Sequence, residues 1–137
     1  MSSYQAGLDA YERGDYDTAL KEFRPLADQG FAAAQHNLGI MYAQGHGVAQ
    51  DYQVAVRWYR LAAVQGHASG QFSLGAMYAE GEGLLKDYVL AHMWANLAAA
   101  QGLESASEMR DHLEKAMTPA QFAEAQRLTR KWKPKGK

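Results

Sequence analysis

The sequence predicts an all-α chain of stacked helix pairs, an α-solenoid, and three observations carry that expectation. Residues 31–66 and 67–102 align without a gap and share 18 identical positions of 36, a period that marks a repeated supersecondary unit. Within each copy apolar residues recur at spacings of three and four, as in Tyr52, Ala55, Trp58 or Tyr59, and Ala62, the pattern of a helix buried along one stripe. Glycines and aspartates interrupt those stripes where helices should end and begin.

The first unit, about 3–31, should place one helix over roughly 3–13, stop it at Gly14 with a positive φ, and start the next, roughly 16–28, on an Asp15 cap. Pro25 lies inside that second span and predicts a kink or an early end. The second unit, about 32–66, predicts helices near 33–44 and 51–65 around the loop GHGVAQ, with Asp51 as cap and Val48 folding back as an apolar plug. Gly39 and its copy Gly75 sit in helix interiors, where Gly costs on the order of 1 kcal/mol against Ala. The spacing therefore predicts a close helix crossing at both, with Tyr42 and Trp58 filling the space on either side. The third unit, about 67–102, repeats this layout.

Residues 105–132 lose the Gly and Tyr signature but keep helical periodicity. Thr118-Pro119-Ala120-Gln121 is a capping-box start, so 105–132 reads as a C-terminal capping hairpin. Residues 133–137 read as a flexible basic tail on a single domain spanning 1–132.

Composition narrows the function. The net charge is −1 over 137 residues, but 127–137 carry six basic residues and no acid, leaving an acidic body. No cysteine is present, which excludes disulfides and thiolate metal sites. No apolar run is long enough to span a membrane. The N-terminus enters helical periodicity without a basic and apolar leader, so no signal peptide is expected. That places the chain in the cytoplasm as written, and in the periplasm or outside the cell if a leader precedes it.

His36, His46, His67, His92 and His112 show no metal-binding spacing, and no cofactor is expected. The loops GHG and GEG lack the Lys-Ser/Thr continuation of a phosphate loop and read as turns. Ser69, Ser73, Ser105 and Ser107 have no nucleophile context. The basic tail reads as a solubilising end, and no nucleic-acid partner is expected, because no matching basic face appears elsewhere.

The pattern LGxMYxxGxGxxxDYxxAxxWxxLAAxQG at 38–66 and 74–102 resembles the Sel-one-like repeat, a relative of the tetratricopeptide repeat. AYERGDYDTALKEF in the first unit resembles the plain tetratricopeptide form. The resemblance implies right-handed stacking of about three repeats plus the cap, with first helices lining a concave face, and an adaptor or scaffold role. Carried over by position, it implies a partner face of Gln5, Asp9 and Glu12, then His36, Ile40 and Gln44, then Phe72, Ala76 and Glu80.

Ile40 and Phe72 would be apolar and exposed there, as at an interaction site. Such a groove suits a basic or amphipathic protein segment. The alternative is a small-ligand-binding or hydrolase-like repeat protein, as proposed for some disulfide-bearing relatives; a third reading is a passive element whose first unit packs on another copy. A monomer or weak homo-oligomer is expected.

Overall fold

A computed structural model describes residues 3–135, which form eight helices and no strand. These are α1 (Tyr4–Glu12), α2 (Tyr16–Asp28), α3 (Ala32–Gln44), α4 (Tyr52–Val64), α5 (Ala68–Glu80), α6 (Tyr88–Ala100), α7 (Glu104–Glu114) and α8 (Pro119–Lys131). Each helix of α1 to α7 packs on its neighbour in the chain, as in an all-α solenoid of helical repeats. First helices also meet directly, α3 with α5 and α5 with α7. Second helices α4 and α6 have no comparable contact among the described residues, so α1, α3, α5 and α7 line the inner side of the stack.

Local chemistry sets the helix ends. Asp15, Asp51 and Asp87 each accept a hydrogen bond from the backbone N–H three residues on, at 3.3, 3.1 and 3.0 Å, the side-chain cap that satisfies an orphan donor. Gly45 and Gly81 end α3 and α5 in left-handed conformation, at φ of 70° and 69°. Helix α2 runs through Pro25 without the early end its sequence suggests. Phe23 and Ala27 are buried on either side of Pro25, and Gln29 N–H still bonds the Pro25 carbonyl at 3.1 Å. Packing holds the segment helical, and the Lys21 carbonyl, which loses its proline-side partner, belongs to an exposed residue.

The close crossing predicted at Gly39 is present, but Tyr59 makes it. A Cβ on Gly39 would lie 2.5 Å from the Tyr59 ring, and one on Gly7 would lie 2.5 Å from the Phe23 ring. At Gly75 the space is bounded instead by the Ala91 carbonyl at 3.2 Å and Met109 at 3.1 Å, since Ala95 replaces the tyrosine. Tyr42 and Trp58, expected to fill the space on either side, are half-buried and line a hollow with Arg24.

Units are keyed together by two further repeated devices. Gln35 donates to the Ala27 carbonyl at 3.1 Å and accepts from Gln65 at 2.8 Å. One unit on, Gln71 donates to Ala63 at 3.2 Å and accepts from Gln101 at 3.0 Å. The Gly-x-Gly loops form the other device: Gly47 sits on Tyr16 and Gly83 on the Tyr52 carbonyl, each at the start of the preceding unit's second helix. Leu84 packs on the core from its loop, while its counterpart Val48 is half-buried.

The last two helices cap the stack differently from a hairpin. Both α7 and α8 pack on α6, and α8 crosses its outer side. His92 of α6 is fully buried beneath them. The Asn96 amide approaches His92 Nδ1 at 3.2 Å, which leaves Nε2–H to donate to Glu114 at 2.9 Å. Phe122 packs edge-on against His92, and Trp132 against Trp94. The tail is also docked: Lys135 N–H bonds the Val64 carbonyl at 2.7 Å, and Pro134 and Trp132 lie over Gly66. Of the expected flexible tail, 133–137, Pro134 and Lys135 are thus seated against the end of α4, and 136–137 lie outside the described residues.

Gly39→Ala should cost about 1–3 kcal/mol in chemical denaturation, because the new methyl overpacks against Tyr59. The same substitution in a Tyr59→Ala background, which reproduces the pairing of Gly75 with Ala95, should cost clearly less. Equal costs in the two backgrounds would show that the crossing is not set by that ring.

Candidate functional site

On the inner side, polar side chains bridge the first three of the four first helices, α1 to α3 and α3 to α5. Tyr4 Oη of α1 accepts from Asn37 of α3 at 2.8 Å. His36 of α3 lies 3.0 Å from Ser73 Oγ of α5. Tyr4 and His36 therefore hold equivalent places, which the matching rings over Gly7 and Gly39 confirm. The α1 register is thus one residue from the expected one: Tyr4 and Leu8, not Gln5 and Asp9, match His36 and Ile40, while Glu12 matches Gln44.

The nine expected face residues separate into an exposed rim and a half-buried centre. Gln5, Asp9, Glu12, Gln44 and Glu80 are exposed, and Gln5 donates to Asp9 at 2.9 Å. His36, Ile40, Phe72 and Ala76 are half-buried. Ile40 packs against the core, so the expectation that Ile40 and Phe72 stand exposed is corrected. Neither is among the exposed large apolar side chains, which are Phe31, Leu61, Leu85 and Phe122.

His36 is also not solvent-facing. It is wedged beside Tyr59 and His67, with ring centroids 5.6 Å away in each case. Burial, reinforced by the neighbouring His67, pulls its pKa down to about 4. Burial lowers His67 as well and pushes Tyr59 up to about 12. The pair of Ser73 and His36 has the spacing of a nucleophile and its base, a pairing invisible in the sequence because the two lie in different repeats. Its chemistry is poor, because so weak a base holds no useful proton affinity near neutral pH. Among the described residues no carboxylate hydrogen-bonds the ring to orient it, and no group of three or more His, Asp or Glu lies together as a metal set.

The larger depressions lie elsewhere. Three open hollows of about 350, 390 and 420 Å³ share Leu61 on the outer side of α4. A smaller one of about 220 Å³ beside Glu80 is lined by Lys86, Tyr88 and His112. The signal for the outer hollows was present in the repeats: Arg57 and Arg60 replace the Met93 and Asn96 of α6, so the two second helices cannot have the same surroundings.

The depressed His36 pKa gives a pH test. The unfolded chain takes up this proton near 6.5 and the folded one only near 4, so the unfolded state binds more protons in that window and stability falls as pH drops through it. The loss is complete below about 4 and amounts to roughly 3 kcal/mol at most. His36→Phe, which copies Phe72, should flatten the decline in melting temperature over that window; an unchanged slope would place the acid sensitivity in other groups.

Comparison with known proteins agrees with this geometry. The family model described as Sel1 repeat matches residues 32–67 and 68–103. The crystal structure of c5321, a protective antigen of uropathogenic Escherichia coli strains with an SLR fold, is similar at a TM-score of 0.88 and 35% identity. That match covers 92% of this chain and 28% of the other. A Sel1 repeat protein from Oxalobacter formigenes is similar at a TM-score of 0.77 and 33% identity, over 81% of this chain and 46% of its own. The chain thus spans less than half the length of either. No protein of curated function matches it. With two matched repeats covering more than half its residues, the chain belongs to the Sel1 repeat family.

Proposed function

We propose that the protein is a non-enzymatic adaptor that holds a segment of a partner protein against the face lined by α1, α3 and α5. Sel1 repeats commonly form protein-interaction scaffolds and are generally non-catalytic, which supports the reading. The observation that carries it is the charge arrangement of that face. Asp9 and Glu12 at one end and Glu80 at the other are exposed and have no basic partner within salt-bridge distance among the described residues. Between them lie the half-buried Ile40, Phe72 and Ala76.

A basic or amphipathic segment fits this pattern. Its cations meet acids on the rim and its apolar side chains reach the seams between first helices. No helix among the described residues is long and apolar enough to cross a membrane. No cofactor enters the proposal.

Because Ile40 supports the core, the rim provides the cleaner test. Asp9→Lys, Glu12→Lys and Glu80→Lys combined should abolish capture of the partner from a lysate of the native organism. Each exposed change should alter stability by only about 0.5 kcal/mol. Capture of the same proteins by wild type and variant would overturn the proposal.

A further inference from the structure

The repeat relates α6 to α4, yet α8 packs along the outer side of α6 alone, and only the tail behind it reaches the C-terminal end of α4. On α6 the cover is the end of α8 and the tail behind it. Trp132 packs on Trp94 with ring centroids 6.1 Å apart, Trp132 and Pro134 lie over Gly66, and Lys135 N–H bonds the Val64 carbonyl. Moving back one unit, the equivalent places are Trp58, Gly30 and the Asp28 carbonyl. Gly30 has nothing packed over it, and Trp58 is half-buried, with the Arg24 guanidinium 5.8 Å from its ring centroid. Three open hollows meet there around Leu61, and their linings include Trp58, Gly30 and Val64. Leu61 is 47% exposed, while its counterpart Leu97 packs against the core that Leu128 and Trp132 join.

Only the last part of the α8 footprint is open. The place of Phe122 on His92 corresponds to Val56, which the loop at Gly83 already covers. The vacant footprint therefore matches Leu128, Trp132 and the short stretch after them, about one helical turn and an extended exit.

Charge selects the occupant. Around the vacant footprint stand Arg24, Arg57, Arg60 and Lys135. Arg24 pairs with Asp28 at 3.7 Å; Arg57, Arg60 and Lys135 meet no acid within salt-bridge distance among the described residues. The matching segment of a second copy carries Arg127, Arg130, Lys131 and Lys133 and would be repelled. We propose that the outer side of α4, between Gly30, Trp58 and Leu61, is a second docking site, taking a short acidic segment of another protein with a leucine and an aromatic residue four positions apart. The aromatic ring enters beside Trp58, the leucine covers Leu61, and the acids meet Arg57, Arg60 and Lys135. This site is separate from the acidic inner face and takes a ligand of opposite charge.

The test uses the full chain and a synthetic peptide of residues 118–135 in which Arg127, Arg130, Lys131 and Lys133 are replaced by Glu. Titration followed by amide NMR should show saturable binding, with shifts centred on Gly30, Trp58, Leu61 and Gln65. The double variant Arg57→Glu/Arg60→Glu should bind the peptide about tenfold more weakly or worse, and so should the wild-type chain with the unaltered basic peptide. A Glu12→Lys/Glu80→Lys chain, altered on the inner face, should bind as wild type does, so failure here and failure of the adaptor reading are distinguishable. The proposal is overturned by no saturation up to about 1 mM. It is equally overturned by shifts confined to α6 or the inner face, by equal binding of the Arg57→Glu/Arg60→Glu chain, or by equal binding of the basic peptide, which would point to a second copy.

Discussion

No helix pair in this chain closes its own core. The first cluster joins Ala10, Ala19, Phe23 and Ala27 of the first unit to Ala34, Leu38 and Met41 of α3. The second joins Ala55, Val56, Tyr59 and Ala63 of α4 to Leu74 and Met77 of α5 and to Met93 and Trp94 of α6. Each large side chain buried this way contributes roughly 1.5–3 kcal/mol, and it does so only when the next unit is in place. Stacking is therefore the condition of folding, as expected of a quasi-one-dimensional repeat array.

That condition creates a problem at the end of the stack, and α8 is its solution. Behind α6 the repeat signature is lost, and without α8 its outer side would expose Leu97 and leave Asn96 without Gln126 and Thr129, while His92 draws Glu114 from α7. The chain turns back instead, and the polar groups find Glu114, Gln126 and Thr129. No buried side-chain polar atom is left unsatisfied among the described residues. The glutamine relay fixes the spacing between units from the opposite end of the helices: each buried amide bridges a helix C-terminus behind it and a glutamine ahead. An amide withheld from water must be satisfied in this way, since leaving it unpaired costs about 1–3 kcal/mol.

Much of this was legible in the residues, because the devices that build it are local or repeated. Asp15, Asp51 and Asp87 announce their helices by capping chemistry, and Gly39 announces a close crossing because a helix-interior glycine is otherwise unfavourable. What covers that glycine was not legible, since Trp58 and Tyr59 are adjacent and both aromatic, and only the packed crossing selects Tyr59. The one-residue register shift in α1 had the same origin: Tyr11 aligns with Tyr42 by type, whereas Gly7 beneath Phe23 sets the true equivalence. On the candidate face, the positions carried over from the family resemblance include five exposed residues, but they overstated the exposure of Ile40 and Phe72 and missed the burial of His36, because burial there depends on how the neighbouring helices pack. The path of α8 was hidden for a related reason. Amphipathic periodicity states that a face is buried and not on which helix it lands; the signs were His92 and Asn96 standing where Val56 and Arg60 stand one unit earlier.

The central claim is that shared cores make the outer side of α6 dependent on α8. Native-state hydrogen exchange of the chain ended after Met117, compared with the full chain, tests it most directly. The account predicts that amides of α6 lose most of their protection on truncation while those of α2 and α3, in the other core cluster, keep more of theirs. Unchanged protection in α6 would contradict it.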